Sequence, residues 1–253
     1  MSGCVTVVGL GPGDPSLLTG AARLALDGAE DLIGYLPYVA RVPERPGLVR
    51  HASDNRVEVD RARHALSLAA SGRRVAVVSG GDPGVFAMAA AIFEAVEHGE
   101  PGWRDLAITV EPGITAMLAA AARLGAPLGG DFCAMSLSDN LKPWPVVTAR
   151  LEAVLRADFV VALYNPISTA RPWQLGAALD LAAGIRAPDT PVMFARAISR
   201  PDEAIRVTTL AEAPAAPADM ATMVILGASG TRLIPRTGKA PFVYTPRSVP
   251  GVA

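Results

Sequence analysis

Val5-Thr6-Val7-Val8-Gly9-Leu10-Gly11-Pro12-Gly13-Asp14-Pro15 is the stretch whose reading decides the fold. A β-branched run makes a short strand, a glycine-rich turn follows at once, and Pro15–Ala29 then carries apolar side chains at helical spacing. The same unit recurs as Val75–Ser79 with a helix from Gly84 to His98, and as Ile108–Val110 with Ile114–Leu124. Parallel strands need helical crossovers, so this alternation predicts an α/β fold. The expected architecture is two-lobed, with a mostly parallel sheet covered by helices on both faces in an N-terminal lobe, residues 1–126.

After Ala126-Pro127-Leu128-Gly129-Gly130 the texture changes. Strands are predicted at Phe132–Leu137, Phe159–Leu163, Val192–Ala197, Ile205–Thr209 and Thr222–Leu226, with helices at Val146–Arg156 and Trp173–Gly184. Closely spaced late strands predict a mixed sheet in a C-terminal α/β lobe, residues 127–240. The stretch after Gly230 carries Pro235, Pro241, Pro246 and Pro250 with little periodicity, which predicts an irregular tail over 241–253.

Composition narrows the function classes. With 51% hydrophobic residues among 253, the chain can bury one large core or two smaller ones. The 23 basic and 24 acidic side chains nearly cancel, so no polyanion, and hence no nucleic acid, is expected as a partner. The basic residues are arginine except for Lys142 and Lys239; this suits carboxylate recognition, or reflects codon usage. Cys4 and Cys133 lack the spacing of a zinc or redox pair and are expected as buried thiols in a reducing, cytoplasmic setting. With a strand read from Val5, no secretory leader is expected. The most apolar stretch, Ile114–Leu124, is interrupted by Arg123 and too short for ~30 Å of hydrocarbon, so no membrane span is expected.

Three turns could carry chemistry. Gly9–Pro15 is an imperfect dinucleotide fingerprint: Asp14 stands where GxGxxG needs its last glycine, and the Gly-Lys-Ser/Thr ending of a phosphate loop is absent. Ser79-Gly80-Gly81-Asp82-Pro83-Gly84 repeats the design. An Asp N-cap followed by Pro at the first helical position accounts for each Asp-Pro pair, but not for the surrounding glycines, which mark a strained turn or close ligand approach. A carboxylate at a helix N-terminus competes with phosphate for the positive end of the dipole. A cofactor with adenine, ribose hydroxyls, a sulfonium and an ammonium but no phosphate fits better, and S-adenosylmethionine (SAM) has those groups. Glu111-Pro112-Gly113-Ile114-Thr115-Ala116 adds a hydroxyl and small side chains; an ordinary first helical turn would look the same.

These turns, with Leu17-Leu18-Thr19 after the first and Val85-Phe86 after the second, resemble the tetrapyrrole methyltransferases over nearly the whole chain. Gly125–Cys133, Ser136-Leu137-Ser138-Asp139, Pro143-Trp144 and Leu163-Tyr164-Asn165-Pro166 are similar to the branch that methylates precorrin-3B at C17 with ring contraction to precorrin-4. The resemblance implies two α/β lobes, a homodimer, SAM held in a cleft between lobes, and a tetrapyrrole substrate, with no protein-bound metal. It implies cofactor contacts at Pro12, Gly80, Gly81, Asp82, Val85, Phe86, Thr115, Ala116, Tyr164, Asn165, Ala195 and Thr222. Where relatives acting on uroporphyrinogen have an acidic proton acceptor, this chain has Tyr35; a phenol is a poor base at neutral pH but a workable acid. Asp14, Tyr35 and Ser16 are the expected catalytic participants in ring contraction.

Other polar residues offer less. His51, His64 and His98 show no metal-ligand spacing and no carboxylate at a motif distance, which predicts surface histidines. Arg41, Arg45, Arg50 and Arg56 could meet substrate carboxylates or form a solvated face. No GxSxG or Cys/His signature supports covalent catalysis. The competing readings are methylation of another precorrin carbon or of a cobalt-bound substrate, a non-catalytic nucleotide sensor, and a nicotinamide reductase, which Asp14 disfavours.

Overall fold

A computed structural model describes residues 3–54 and 57–248. The chain divides into two compact units, Met1–Ala116 and Met117–Ala253, ahead of the boundary expected near Pro127.

In the first unit, β1 (Cys4–Gly9) leads through a 3-10 turn at Pro15–Leu17 into α1 (Gly20–Gly28). Then follow β2 (Asp31–Tyr35), α2 (Leu36–Val39), β3 (Val49–Ser53), α3 (Glu58–Ala70), β4 (Arg74–Ser79), α4 (Met88–His98) and β5 (Ala107–Glu111). The continuous helix expected over Pro15–Ala29 is broken. Asp14 caps the 3-10 turn and Thr19 caps α1, its Oγ1 accepting from Ala22 N at 3.1 Å, so two local caps override a continuous apolar period. The five strands pair in parallel in the order β3-β2-β4-β1-β5.

Alternation along the strands builds two apolar layers. Val5, Val7, Val75 and Val77 face α3 and α4 through Leu66 and Ile92; Val8, Ala76 and Val78 face α1 through Ala22 and Leu26. Strands buried on both faces read as the near-continuous valine runs seen in the sequence. At about 25 cal/mol per Å² of buried apolar area, each such valine contributes on the order of 2 kcal/mol.

The second unit takes up α5 (Ala116–Leu124) at its start, then β6 (Gly125–Ala126), β7 (Phe132–Ser136), α6 (Trp144–Arg156), β8 (Val160–Tyr164) and α7 (Gln174–Ala183). The strands β9 (Pro191–Arg196), β10 (Ala204–Thr209), β11 (Thr222–Leu226), β12 (Arg232–Arg236) and β13 (Lys239–Tyr244) complete it. The sheet β10-β9-β11-β8-β7 is mixed, with only β7 and β8 parallel. One of its faces packs on α6 and α7 through Leu151, Leu155, Ala178 and Leu179.

The expected irregular tail is corrected as far as Tyr244; residues 249–253 lie outside the described residues. β12 and β13 form a hairpin whose second strand runs parallel to β6, placing Val243 opposite Gly125 and Tyr244 opposite Ala126. Pro235 is accommodated because the register shifts between Ile234 and Arg236, where a missing N–H breaks no regular rung. Past the hairpin, Thr245 is buried, its Oγ1 donating to the Pro127 carbonyl at 2.7 Å and lying 2.9 Å from Thr231 Oγ1. Pro250 lies outside the described residues. No helix among the described residues is long and apolar enough to cross a membrane.

Candidate functional site

In the first unit the three quoted turns leave the carboxyl ends of neighbouring strands β4, β1 and β5, the end at which open parallel sheets bind ligands. They touch backbone to backbone. Gly11 and Gly81 exchange N–H···O bonds of 3.1 and 2.9 Å, and Leu10 N donates to the Ser79 carbonyl at 2.9 Å. A Cβ on Gly113 would lie 2.2 Å from the Gly81 carbonyl oxygen, and one on Gly9 would lie 2.6 Å from Gly113 N. Only glycine permits that approach, which answers the question capping left open.

Asp82 ties the second turn to the third. Its Oδ1 accepts from Gly84 N at 2.8 Å and its Oδ2 from Gly113 N at 3.1 Å. It is therefore not the N-cap of the next helix, as the Asp-Pro pair suggested. That helix starts at Met88, after Phe86 takes a positive φ of 53° with its ring half exposed. A bulky residue in the left-handed region costs about 1–2 kcal/mol, and such strain gathers at functional sites. Asp14 does cap as expected, its Oδ1 accepting from Ser16 N at 2.8 Å; Asp14 and Ser16 are exposed. Pro12 and Thr115 are buried, while Gly80, Val85 and Ala116 are partly exposed.

Tyr35 ends β2 at the same edge of the sheet and meets Tyr38 edge to face, with ring centroids 5.5 Å apart. Tyr38 was not singled out from the sequence, yet it lies against Gly80, where a Cβ would come within 2.8 Å of its ring. For Arg41 the sequence leaves two expectations open, substrate carboxylates or a solvated face. Instead its Nη2 donates to the carbonyls of Leu10 and Gly11 at 2.7 and 3.1 Å, clamping the first turn. Arg45 likewise serves the carbonyls of Leu26 and Ala29, and Arg50 those of Val39 and Val42, besides pairing with Glu44. Carbonyls left open where helices end draw these guanidinium groups inward. Arg56 lies outside the described residues.

The surface reading of the histidines needs correction at His51, which is half-buried and paired; His64 is exposed as expected. His51 Nε2 lies 2.9 Å from Asp31 Oδ1, His64 Nε2 lies 3.1 Å from His51 Nδ1, and Arg73 donates to Asp31 Oδ2 at 2.6 Å. Pairing of β2 with β3 joins residues 20 positions apart, which no local spacing reveals. Burial alone would raise the Asp31 pKa, but hydrogen bonds and charge from Arg73 and His51 hold it below the usual carboxylate range. Burial, then the neighbouring His51, push the His64 pKa down, with Asp31 opposing. The chain lies at the strand-start end of the sheet, away from the glycine turns. His98 remains on the surface against the Glu94 carbonyl. Cys4 and Cys133 are free but only partly buried; burial raises the Cys133 pKa.

In the second unit, Tyr164 closes β8 and its Oη accepts from Met117 N at 3.3 Å. Asn165 follows at φ 50°, its Nδ2 donating to Ser136 Oγ at 3.0 Å. Thr222 is buried and bonded within its own turn to Asp219 at 2.9 Å, and Ala195 is enclosed in β9 between β10 and β11. Among the described residues, no group of three or more His, Cys, Asp and Glu side chains could hold a metal ion.

Known proteins agree with this geometry. Residues 4–214 match the family described as Tetrapyrrole (Corrin/Porphyrin) Methylases. A precorrin-3B C(17)-methyltransferase of a Sinorhizobium species is 54% identical over 253 residues, covering 100% of both chains. The crystal structure of the methyltransferase CobJ superposes with a TM-score of 0.91 at 52% identity, over 97% of this chain and 100% of that one. The uroporphyrin-III C-methyltransferase of Thermus thermophilus, complexed with S-adenosylhomocysteine, matches with a TM-score of 0.69 at 25% identity, over 89% and 97%. Three turns meeting at one end of a parallel sheet, on a chain so matched from end to end, lead to one conclusion: the chain belongs to the tetrapyrrole methylase family.

Proposed function

We propose that the chain is a SAM-dependent C-methyltransferase of cobalamin biosynthesis that methylates C17 of precorrin-3B and contracts the ring to precorrin-4. The observation that carries this is 54% identity over the full length of a relative bearing that activity in its name.

The turns fit the cofactor. Arg41 is spent on backbone carbonyls, while Asp14 stands exposed at the rim, so the site favours a cationic, phosphate-free ligand over a pyrophosphate. SAM supplies an electrophilic methyl group. The protein's own contribution is orientation: Pro12, Gly80, Gly81, Asp82, Val85, Phe86, Thr115 and Ala116 present backbone groups and small surfaces from the first unit. Tyr164 and Asn165 are proposed as polar contacts from the second, with Ala195 and Thr222 acting through shape because both are buried. Holding a nucleophilic carbon in line with the methyl group converts a bimolecular step into an effectively unimolecular one. Asp14, Tyr35 and Ser16 are proposed to move protons in the contraction.

A homodimer and a cytoplasmic setting complete the proposal, the dimer supported by the exposed apolar side chains Leu233, Ile234, Phe242 and Tyr244 on the β12–β13 hairpin. Light scattering tests the dimer. The activity is tested by incubating the pure protein with precorrin-3B and SAM carrying a deuterated methyl group, then locating the label by mass spectrometry and NMR. Label at C17 of a contracted ring is expected; label on another carbon overturns the assigned position, and no transfer overturns the activity. SAM, but not NADH, should raise the melting temperature.

A further inference from the structure

Arg171 lies in the loop between β8 and α7 and is buried, with 8% of its surface exposed. Buried guanidinium groups are ordinarily paired with a carboxylate, because the charge has left water and needs compensation. Among the described residues Arg171 makes no ion pair. Its Nη1 donates to the Asn165 carbonyl at 3.3 Å, and its Nη2 lies 3.7 Å from the Met220 sulfur, a weak acceptor. The backbone, by contrast, is firmly held: Arg171 and Ser168 exchange N–H···O bonds of 2.9 and 3.0 Å. The loop thus spends structure on placing a charge that it does not neutralise.

Two residues that touch Arg171, Ser168 and Met220, line an open recess of about 540 Å³. Ser168, Thr169, Asp219 and Met220 line it, with the Asp219 carboxylate held by Arg196; Arg171 is not in the lining and meets this wall through its backbone bonds to Ser168 and through Met220. We infer that Arg171 is a specificity-determining anchor that takes a peripheral carboxylate of the tetrapyrrole in this recess, in place of the Met220 sulfur. This rests on the proposed tetrapyrrole methylation. Met220 is unbranched and 49% exposed, so it can swing aside. The guanidinium then exchanges a thioether for a charge-assisted contact of about twice the strength of a neutral hydrogen bond. Arg171 touches the substrate's rim and takes no part in methyl transfer itself.

The test uses the full chain, with uroporphyrin, an octacarboxylate tetrapyrrole, as equilibrium probe by fluorescence, precorrin-3B for kinetics, and calorimetry for SAM. Arg171→Gln is expected to raise both the uroporphyrin Kd and the precorrin-3B KM by about tenfold or more, leaving kcat and the SAM Kd within about twofold. Arg171→Lys should recover part of the loss. Ser168→Asp, which adds a second carboxylate to the recess wall beside Asp219 and leaves the guanidinium intact, should weaken uroporphyrin binding in the same direction. Wild-type tetrapyrrole affinity in Arg171→Gln overturns the anchor. Should that variant fail to bind SAM, wild-type affinity in Ser168→Asp overturns it instead. A wild-type protein that binds uroporphyrin but methylates no precorrin overturns the proposed function alone, and the anchor then stands or falls on the variants' Kd; one that binds no tetrapyrrole overturns both.

Discussion

At the scale of single residues, the candidate site is backbone geometry held by a few side chains. Asp82 shows this most directly, since its two oxygens each accept from a backbone N–H of a different turn. Asp82→Asn keeps one acceptor for Gly84 but turns an amide NH2 toward the Gly113 N–H, setting donor against donor. Leaving such groups unsatisfied costs about 1–3 kcal/mol. Urea unfolding of the variant should show a loss of that size together with weaker SAM binding; unchanged stability would mean that Asp82 does not join the turns. Tyr35 and Asp14 make different demands, because neither braces the three-turn junction. Tyr35→Phe should lower kcat for ring contraction by about 10²-fold, the lower end of general acid–base contributions, with the SAM Kd unchanged. Equal turnover by Tyr35→Phe and wild type would remove Tyr35 from the proton path.

At the scale of elements, the valine strands and their glycine turns are legible because burial on both faces and close backbone approach each demand particular residues. β11 is found at Thr222–Leu226 as read, and β1 extends the Val5–Val8 run by a residue at each end. The elements that sequence hides are those whose stability comes from distant partners. β3 is the edge strand Val-Arg-His-Ala-Ser, half polar, and exists because β2 lies beside it. The β12–β13 hairpin carries two prolines and shows no alternation, yet pairs with a two-residue strand more than a hundred positions earlier. Arg41, Arg45 and Arg50 admit both a substrate-facing and a solvated reading because a sequence does not show which carbonyls a glycine turn or a helix end leaves open. Thr245 tests what fixes the hairpin. Thr245→Val preserves shape but strips the buried Pro127 carbonyl and Thr231 hydroxyl of a partner. A loss of about 1–3 kcal/mol is expected, with faster amide exchange at Val243. A loss below about 0.5 kcal/mol would show that strand pairing alone suffices.

At the scale of the whole molecule, each unit has its own core and its own titrating network, so acid should act on them at different pH. In the first unit, His64 has its pKa lowered by burial and by His51. The unfolded chain therefore carries a proton at His64 that the folded one lacks, from the lowered value up to the ordinary one near ~6.5, and stability falls as pH drops through that window. Asp31 adds a second loss only at lower pH, since its depressed pKa keeps its contribution intact above the ordinary carboxylate range. In the second unit, burial would raise the Asp219 pKa, but Arg196 and Thr222 hold it down, so its contribution likewise persists until pH falls below about 4. The tryptophans separate the two responses: Trp103 lies in the first core, and Trp144 meets Trp173 in the second unit with ring centroids 4.9 Å apart. Trp144→Phe/Trp173→Phe and Trp103→Phe give one reporter set per unit. Between pH 7.5 and 5 the denaturation midpoint read from Trp103 should fall while that read from Trp144 and Trp173 stays level, and His64→Gln should flatten the first trend. Midpoints that fall together, or a slope that survives His64→Gln, would show that the His64–His51–Asp31 chain does not set the acid response.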